Sequence, residues 1–150
     1  MRVEDVMVKE VVTIPVSATY EEAAKTLYDN HFSGAPVVDN EGNLVGMLSE
    51  KDLFKGLFPF YAEYHDNPHE YKNHEEREHA VEDVRKRKVK EFMSTQLTII
   101  EPHAPILRAG AIMLAKGIFR LPVVKGEKLV GLVTRENIYR AIFKKYLHFS

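Results

Sequence analysis

The chain contains one unit twice, and this duplication limits its fold more than any other property. The first copy reads Gly34-Ala35-Pro36-Val37-Val38, a polar turn, then Leu44-Val45-Gly46-Met47-Leu48-Ser49-Glu50-Lys51-Asp52. The second reads Arg120-Leu121-Pro122-Val123-Val124, a shorter turn, then Leu129-Val130-Gly131-Leu132-Val133-Thr134-Arg135-Glu136-Asn137. Pro36 and Pro122 stand 86 positions apart, as do Met7 and Met93, whereas Gly46 and Gly131 stand 85 apart. One residue is therefore missing from the second turn. A repeat of about sixty residues buries too little surface to be secure alone, so the halves are expected to pack together and to hold function between them.

Each copy predicts the order strand, helix, strand, strand, helix. Val11-Val12-Thr13-Ile14, ended by Pro15, reads as the leading strand, and Leu97-Thr98-Ile99-Ile100 as its counterpart. Thr19 and Glu22 have the spacing of a capping box, and Tyr20, Ala23, Ala24, Leu27 and Tyr28 follow at helical spacing as one apolar face. The counterpart helix takes Pro105 as its first position and Ile106, Ala109, Gly110, Met113 and Leu114 as its stripe, stopping at Lys116-Gly117. Ala35–Val38 with Leu44–Leu48, and Leu121–Val124 with Leu129–Val133, read as paired strands. Gly46 inside a strand suggests that something approaches its backbone. Ser49 opens a helix whose inner face is Leu53, Phe54, Leu57 and Phe58, ended by Pro59; the last helix points Ile138, Ala141, Ile142 and Tyr146 inward.

Between the copies, residues 59–88 differ in composition. Phe60, Tyr61, Tyr64 and Tyr71 crowd the first part, and Asn73 and Glu76 have cap spacing. Acids come early and Arg85-Lys86-Arg87-Lys88 late, which suits the dipole of a connector helix with Glu82–Lys86 and Asp83–Arg87 pairs.

With net charge −1, no global field favours nucleic acid or acidic membranes, and neither is expected as a partner. The absence of cysteine excludes disulfides, thiolate metal sites and a cysteine nucleophile. No stretch approaches eighteen apolar residues and the first residues carry acids, so a cytoplasmic protein is expected. His65 and His69 near Asp66 invite a metal reading, but Pro68 opposes the regular helix that would align them, and no metal site is assigned.

Two copies in register of Pro-Val-Val, Leu-Val-Gly and Ser/Thr-x-x-Asp/Asn resemble the tandem cystathionine β-synthase (CBS) domain, over the whole chain except the insertion. The resemblance implies an α+β fold of two β-α-β-β-α repeats, residues 1–58 and 89–150, packed about a pseudo-twofold axis with the helical insertion 59–88 between them. It also implies two clefts that take adenosine-containing ligands (AMP, ADP, ATP, S-adenosylmethionine or NAD), a homodimer, and regulation of an attached or separate partner. Carried over residue by residue, the first cleft joins Ser49, Asp52 and Met47 to Ile99, Ala104, Leu121 and Pro122, with Asp52 on the ribose and Ser49 near the phosphate. The second joins Thr134, Asn137 and Leu132 to Thr13, Ala18, Gly34 and Ala35. Arg120 matches the family's phosphate-binding arginine and its position serves either cleft; Lys51 and Arg135 are weaker helpers. Asn137 departs from the family's aspartate and loses a charge-assisted contact, so the second cleft is expected to be weak or empty, giving one nucleotide per chain.

Simpler roles compete. Ser49-x-x-Asp52 and Thr134-x-x-Asn137 have the spacing of plain helix caps, and Arg120 that of a surface arginine paired with an acid. Nothing assembles a nucleophile with a base, so the sequence predicts a binding module rather than an enzyme. The alternative is a ligand-free interaction module that uses the aromatic insertion.

Overall fold

Strand pairing starts where each leading segment meets the first strand of its hairpin. In the computed structural model, which describes residues 1–58, 82 and 84–150, the elements run α1 (Val3–Val6), β1 (Ile14–Pro15), α2 (Tyr20–Asn30), β2 (Gly34–Val38), β3 (Leu44–Ser49) and α3 (Glu50–Gly56). After a 3₁₀ turn at Val89–Glu91 come α4 (Ile106–Lys116), β4 (Arg120–Lys125), β5 (Lys128–Thr134) and α5 (Arg135–Tyr146). This is the mixed α/β order of two repeats that the duplication predicts. The aromatic and histidine positions of the insertion (Phe60, Tyr61, Tyr64, His65, Asp66, His69 and Tyr71) and its Asn73–Glu76 cap lie outside the described residues.

The leading strands are shorter than expected. Val11, Val12 and Thr13 are not in a strand; β1 pairs parallel to β2 only through Ile14↔Val37 and Pro15↔Val38. Pro15 belongs to the strand instead of ending it, because it occupies an edge position where no donor is needed and the next bond comes from Val16 N to Val38 O at 2.8 Å. In the second repeat the strand shrinks to one parallel bridge, Ile100↔Val123. Ile100 donates to Pro122 O at 3.1 Å and accepts from Val124 N at 2.9 Å; Pro102 follows two residues later.

The chain forms two compact units whose membership crosses the repeat boundary. One contains Thr13–Asn40 and Val45–Gln96, with a three-stranded sheet in the order β1-β2-β3. Its core joins Ile14, Ala23, Leu27, Val37, Leu48 and Leu53 to Val84 from the end of the insertion and Val89 just after it. The α2 cap forms as the Thr19–Glu22 spacing predicts, Thr19 Oγ1 accepting from Glu22 N at 3.2 Å. The buried phenol of Tyr20 donates to Leu53 O at 2.5 Å, fixing α2 to α3. The basic run 85–88 is stitched along the start of α2. Tyr20 N and Glu21 N donate to Arg87 O and Arg85 O at 2.7 and 3.0 Å, and Lys88 Nζ reaches Ser17 O at 3.0 Å. Glu82 pairs with Arg85 at 3.0 Å and not with the expected Lys86, and Arg87 pairs with Glu91 through two bonds of 2.8 and 3.3 Å; Asp83, the partner expected for Arg87, lies outside the described residues.

The other unit contains Met1–Val12, Glu41–Leu44 and Leu97–Ser150. Here β4 and β5 form an antiparallel hairpin from Arg120↔Thr134 to Lys125↔Lys128, with a register shift between Val123 and Val124. Its turn is tighter than the sequence suggested, because Gly126 at φ 65° takes the left-handed backbone and lets Lys125 and Lys128 pair. The core joins Ala109, Met113, Leu121, Val123, Val133 and Ile138 to Val3 of α1. Pro105 is the residue before α4, with extended ψ 143°, and not its first helical residue. Gly117 closes α4 at φ 65° as expected.

Four apolar residues assigned to inner faces lie outside: Tyr28 and Leu114 are 82% and 84% exposed, Phe54 63% and Tyr146 62%. Tyr28, Leu114 and Phe54 each follow directly on a buried residue of the stripe (Leu27, Met113 and Leu53), and Tyr146 ends its helix. In α2, Tyr20, Ala23 and Leu27 complete the buried stripe, and in α4 Ile106, Ala109 and Met113 do.

Candidate functional site

Both Ser/Thr-x-x-Asp/Asn motifs sit where a hairpin strand turns directly into a helix. At the first, Ser49 has extended backbone, Asp52 N donates to Ser49 Oγ at 3.1 Å, and Asp52 Oδ2 accepts from Ser49 N at 2.9 Å. At the second, Asn137 N donates to Thr134 Oγ1 at 3.1 Å, and Asn137 Oδ1 accepts from Thr134 N at 3.0 Å. The capping reading therefore holds at both positions, and all four side chains are half-buried. The two caps leave different chemistry over. Asp52 keeps Oδ1, which makes no hydrogen bond among the described residues, as a charged acceptor. Asn137 has its oxygen on the cap and presents an NH₂ donor.

Each motif is held by a methionine segment from the opposite copy. In the first unit Met47 and Ser94 exchange bonds (Met47 N to Ser94 O 3.0 Å, Ser94 N to Met47 O 2.8 Å) beside Gly46. A Cβ on Gly46 would lie 2.5 Å from Met93 Sδ and 3.1 Å from Ser94 O, so the close approach predicted at this glycine is real. In the other unit Val8 and Leu132 exchange bonds of 2.8 and 2.9 Å, and a Cβ on Gly131 would lie 2.5 Å from Met7 Sδ. The sequence marked Met7 and Met93 as equivalent but gave no sign of which glycine each would meet.

The remaining candidates fall into two groups. Arg120 lies directly across the hairpin from Thr134, and Pro122 across from Leu132, so these four share one end of the β4–β5 ribbon. Beside them Arg135 holds its guanidinium 4.5 Å over the Phe119 ring and donates its backbone N–H to Phe119 O at 2.9 Å. Met47, Thr13, Leu132 and Arg120 are half-buried and Ile99 is exposed, whereas Ala18, Gly34, Ala35, Ala104, Leu121 and Pro122 are buried. Ala104 O accepts from Val3 N at 2.8 Å. No group of metal-ligating side chains occurs among the described residues. No helix among them is long and apolar enough to cross a membrane.

A duplicated α/β unit with a capped strand-to-helix junction in each copy defines a class. The CBS domain family matches residues 3–58 and 89–144, and the chain belongs to it. A CBS domain-containing protein of Dictyostelium discoideum is 32% identical over 143 residues, covering 95% of this chain and 91% of that one. The CBS-pair protein CBSX2 of Arabidopsis thaliana has a solved structure with TM-score 0.76 at 24% identity, covering 99% and 98% of the two chains. CBSX2 has also been solved in complex with AMP. Other relatives are longer enzymes: the match spans 24% of a homoserine O-acetyltransferase of Methanohalobium evestigatum, at 27% identity over 93% of this chain.

Proposed function

We propose that this chain is a regulatory module that binds an adenine nucleotide or a related adenosyl ligand, and that binding changes its self-association or its contacts with a partner. The reading rests most on Asp52, whose cap uses one carboxylate oxygen and leaves the other for a ribose hydroxyl. In this reading Asp52, Ser49 and Met47 act with Ile99, Ala104, Leu121 and Pro122 on one nucleotide. Thr134, Asn137 and Leu132, with Thr13, Ala18, Gly34 and Ala35, form a weaker second site. Arg120 supplies the phosphate contact, and its place across from Thr134 puts that cation at the second motif's end of the hairpin. Membership of the CBS family supports the ligand class. The module acts by binding and not by catalysis, as a homodimer in the cytoplasm, and takes no nucleic acid.

Coupling requires that the ligand favour one arrangement of the module over another. Thermal shift of the nucleotide-free protein against AMP, ADP, ATP and S-adenosylmethionine tests the reading. A ligand at about one hundred times its Kd adds about 2.7 kcal/mol, well above the resolution of the method. No shift with any of the four favours the ligand-free interaction module instead.

A further inference from the structure

The chain has no cysteine and five methionines, so methionine is the only sulfur that a peroxide meets. The five differ in setting. Met1 is 39% exposed and Met113 3%, whereas Met7, Met47 and Met93 are half-buried. Two of these three sit against a glycine: Met93 Sδ lies 2.5 Å from where a Gly46 Cβ would stand, and Met7 Sδ lies 2.5 Å from the same place on Gly131. Each sulfur thus covers the bare side of a strand residue and packs on the core of its own unit, while its residue stays partly open to solvent. The residue after each methionine is bonded to that same strand. Ser94 exchanges both backbone bonds with Met47, and Val8 with Leu132, two positions before the Ser49 and Thr134 caps.

We propose that Met7 and Met93 are sites of reversible oxidation by hydrogen peroxide, and that sulfoxide formation unlocks each methionine segment from the strand that leads into a Ser/Thr-x-x-Asp/Asn cap. A lone pair of Sδ attacks one peroxide oxygen, and the S–O bond forms as the O–O bond breaks. The proton of the attacked oxygen passes to the leaving hydroxide, which departs as water; the sulfur has lost two electrons and the peroxide has gained them. A flexible, apolar thioether suits the niche over a glycine, but a sulfoxide is polar. The oxidised side chain either carries an oxygen into apolar contact or swings into water, and in both cases the glycine loses its cover. Reversal takes two thiols of a methionine sulfoxide reductase, since this chain has none; they close to a disulfide as the oxygen leaves as water. Each sulfur and its glycine belong to one compact unit, and the inference is independent of the nucleotide.

The test treats the nucleotide-free protein with hydrogen peroxide, locates sulfoxides by peptide mass spectrometry, and follows thermal unfolding and amide hydrogen exchange. Met7 and Met93 are expected to oxidise in the folded protein while Met113 stays a thioether. Tm should fall by about 5 °C, and protection should drop at the amides of Val8, Met47, Ser94 and Leu132. Methionine sulfoxide reductase with a thiol donor should reverse all of these changes. The double variant Met7→Leu/Met93→Leu, which nearly keeps the volume and removes the sulfur, should hold its own Tm through the same treatment. If the double variant does not fold, each single variant should stay protected at its own strand. Met7 and Met93 left unoxidised when Met1 is fully converted overturns the proposal, as does an unchanged Tm and protection in protein oxidised at both. An equal loss of Tm in the leucine variants also overturns it, and sulfoxides that the reductase leaves unrepaired overturn the reversible site.

Discussion

At the residue scale, two glycines and one tyrosine show how single atoms fix the module. Gly46 and Gly131 are required because a methionine and a backbone carbonyl already occupy the place of a side chain. Gly46→Ala is expected to cost about 1 to 3 kcal/mol in urea unfolding, the range for overpacking. The methionine end can move aside but Ser94 O cannot, so Gly46→Ala/Met93→Ala should recover part of that loss and not all of it. Tyr20→Phe removes the hydroxyl bonded to Leu53 O and should cost about 1 kcal/mol with the core intact. The requirement at Gly46 was legible from the sequence, since a glycine inside a strand has few other reasons, whereas that at Gly131 was not read. The tyrosine bond was not, because helical spacing marks Tyr20 as inward without naming what its hydroxyl reaches.

At the element scale, the leading segments differ most from expectation. Val11–Ile14 and Leu97–Ile100 have the composition of full strands, yet one offers two paired residues and the other a single bridge. Composition reports a preference for extended backbone; the length of a strand depends on how much partner edge is available, and that is a tertiary property. Likewise the stripe on each helix was read correctly, but its width was overestimated where Tyr28, Leu114, Phe54 and Tyr146 stand outside. The α1 segment belongs energetically with the second repeat: Val3 is fully buried among Ile100, Leu121 and Val133. Val3→Ala should therefore cost about 2 kcal/mol. Hydrogen exchange should show the loss of protection at Leu132 and Val133 in the second repeat, not in α2. The 3₁₀ turn adds a pH dependence. The hydrogen bond from Arg87 holds the Glu91 carboxyl below its ordinary range, aided by the charges of Arg87 and Lys90. A carboxyl depressed in the folded state stabilises above its ordinary pKa, and that contribution is lost as pH falls through the depressed value. Glu91→Gln should thus lower Tm slightly at pH 7, with the difference from wild type vanishing in acid; the effect is small because the pair is exposed.

At the scale of the whole molecule, the duplication made the family legible from the sequence. Pro36 with Pro122 and Met7 with Met93 keep one spacing across an insertion of different composition, a coincidence that separate domains do not produce. The sequence did not show that each repeat's methionine segment completes the other repeat's unit. Neither did the overall net charge of −1 reveal that α2 and α3 together carry an excess of two acids while α4 and α5 carry an excess of five bases. The ligand reading carries one asymmetry of its own: Asp52 retains an unused acceptor, while the oxygen of Asn137 is taken by its cap. Isothermal titration of AMP into the wild type, Asp52→Ala and Asn137→Ala measures that difference directly. The account predicts one AMP per chain, lost in Asp52→Ala beyond the roughly 1 kcal/mol of cap stability, and kept in Asn137→Ala. AMP binding with unchanged affinity in Asp52→Ala, or its loss only in Asn137→Ala, contradicts it.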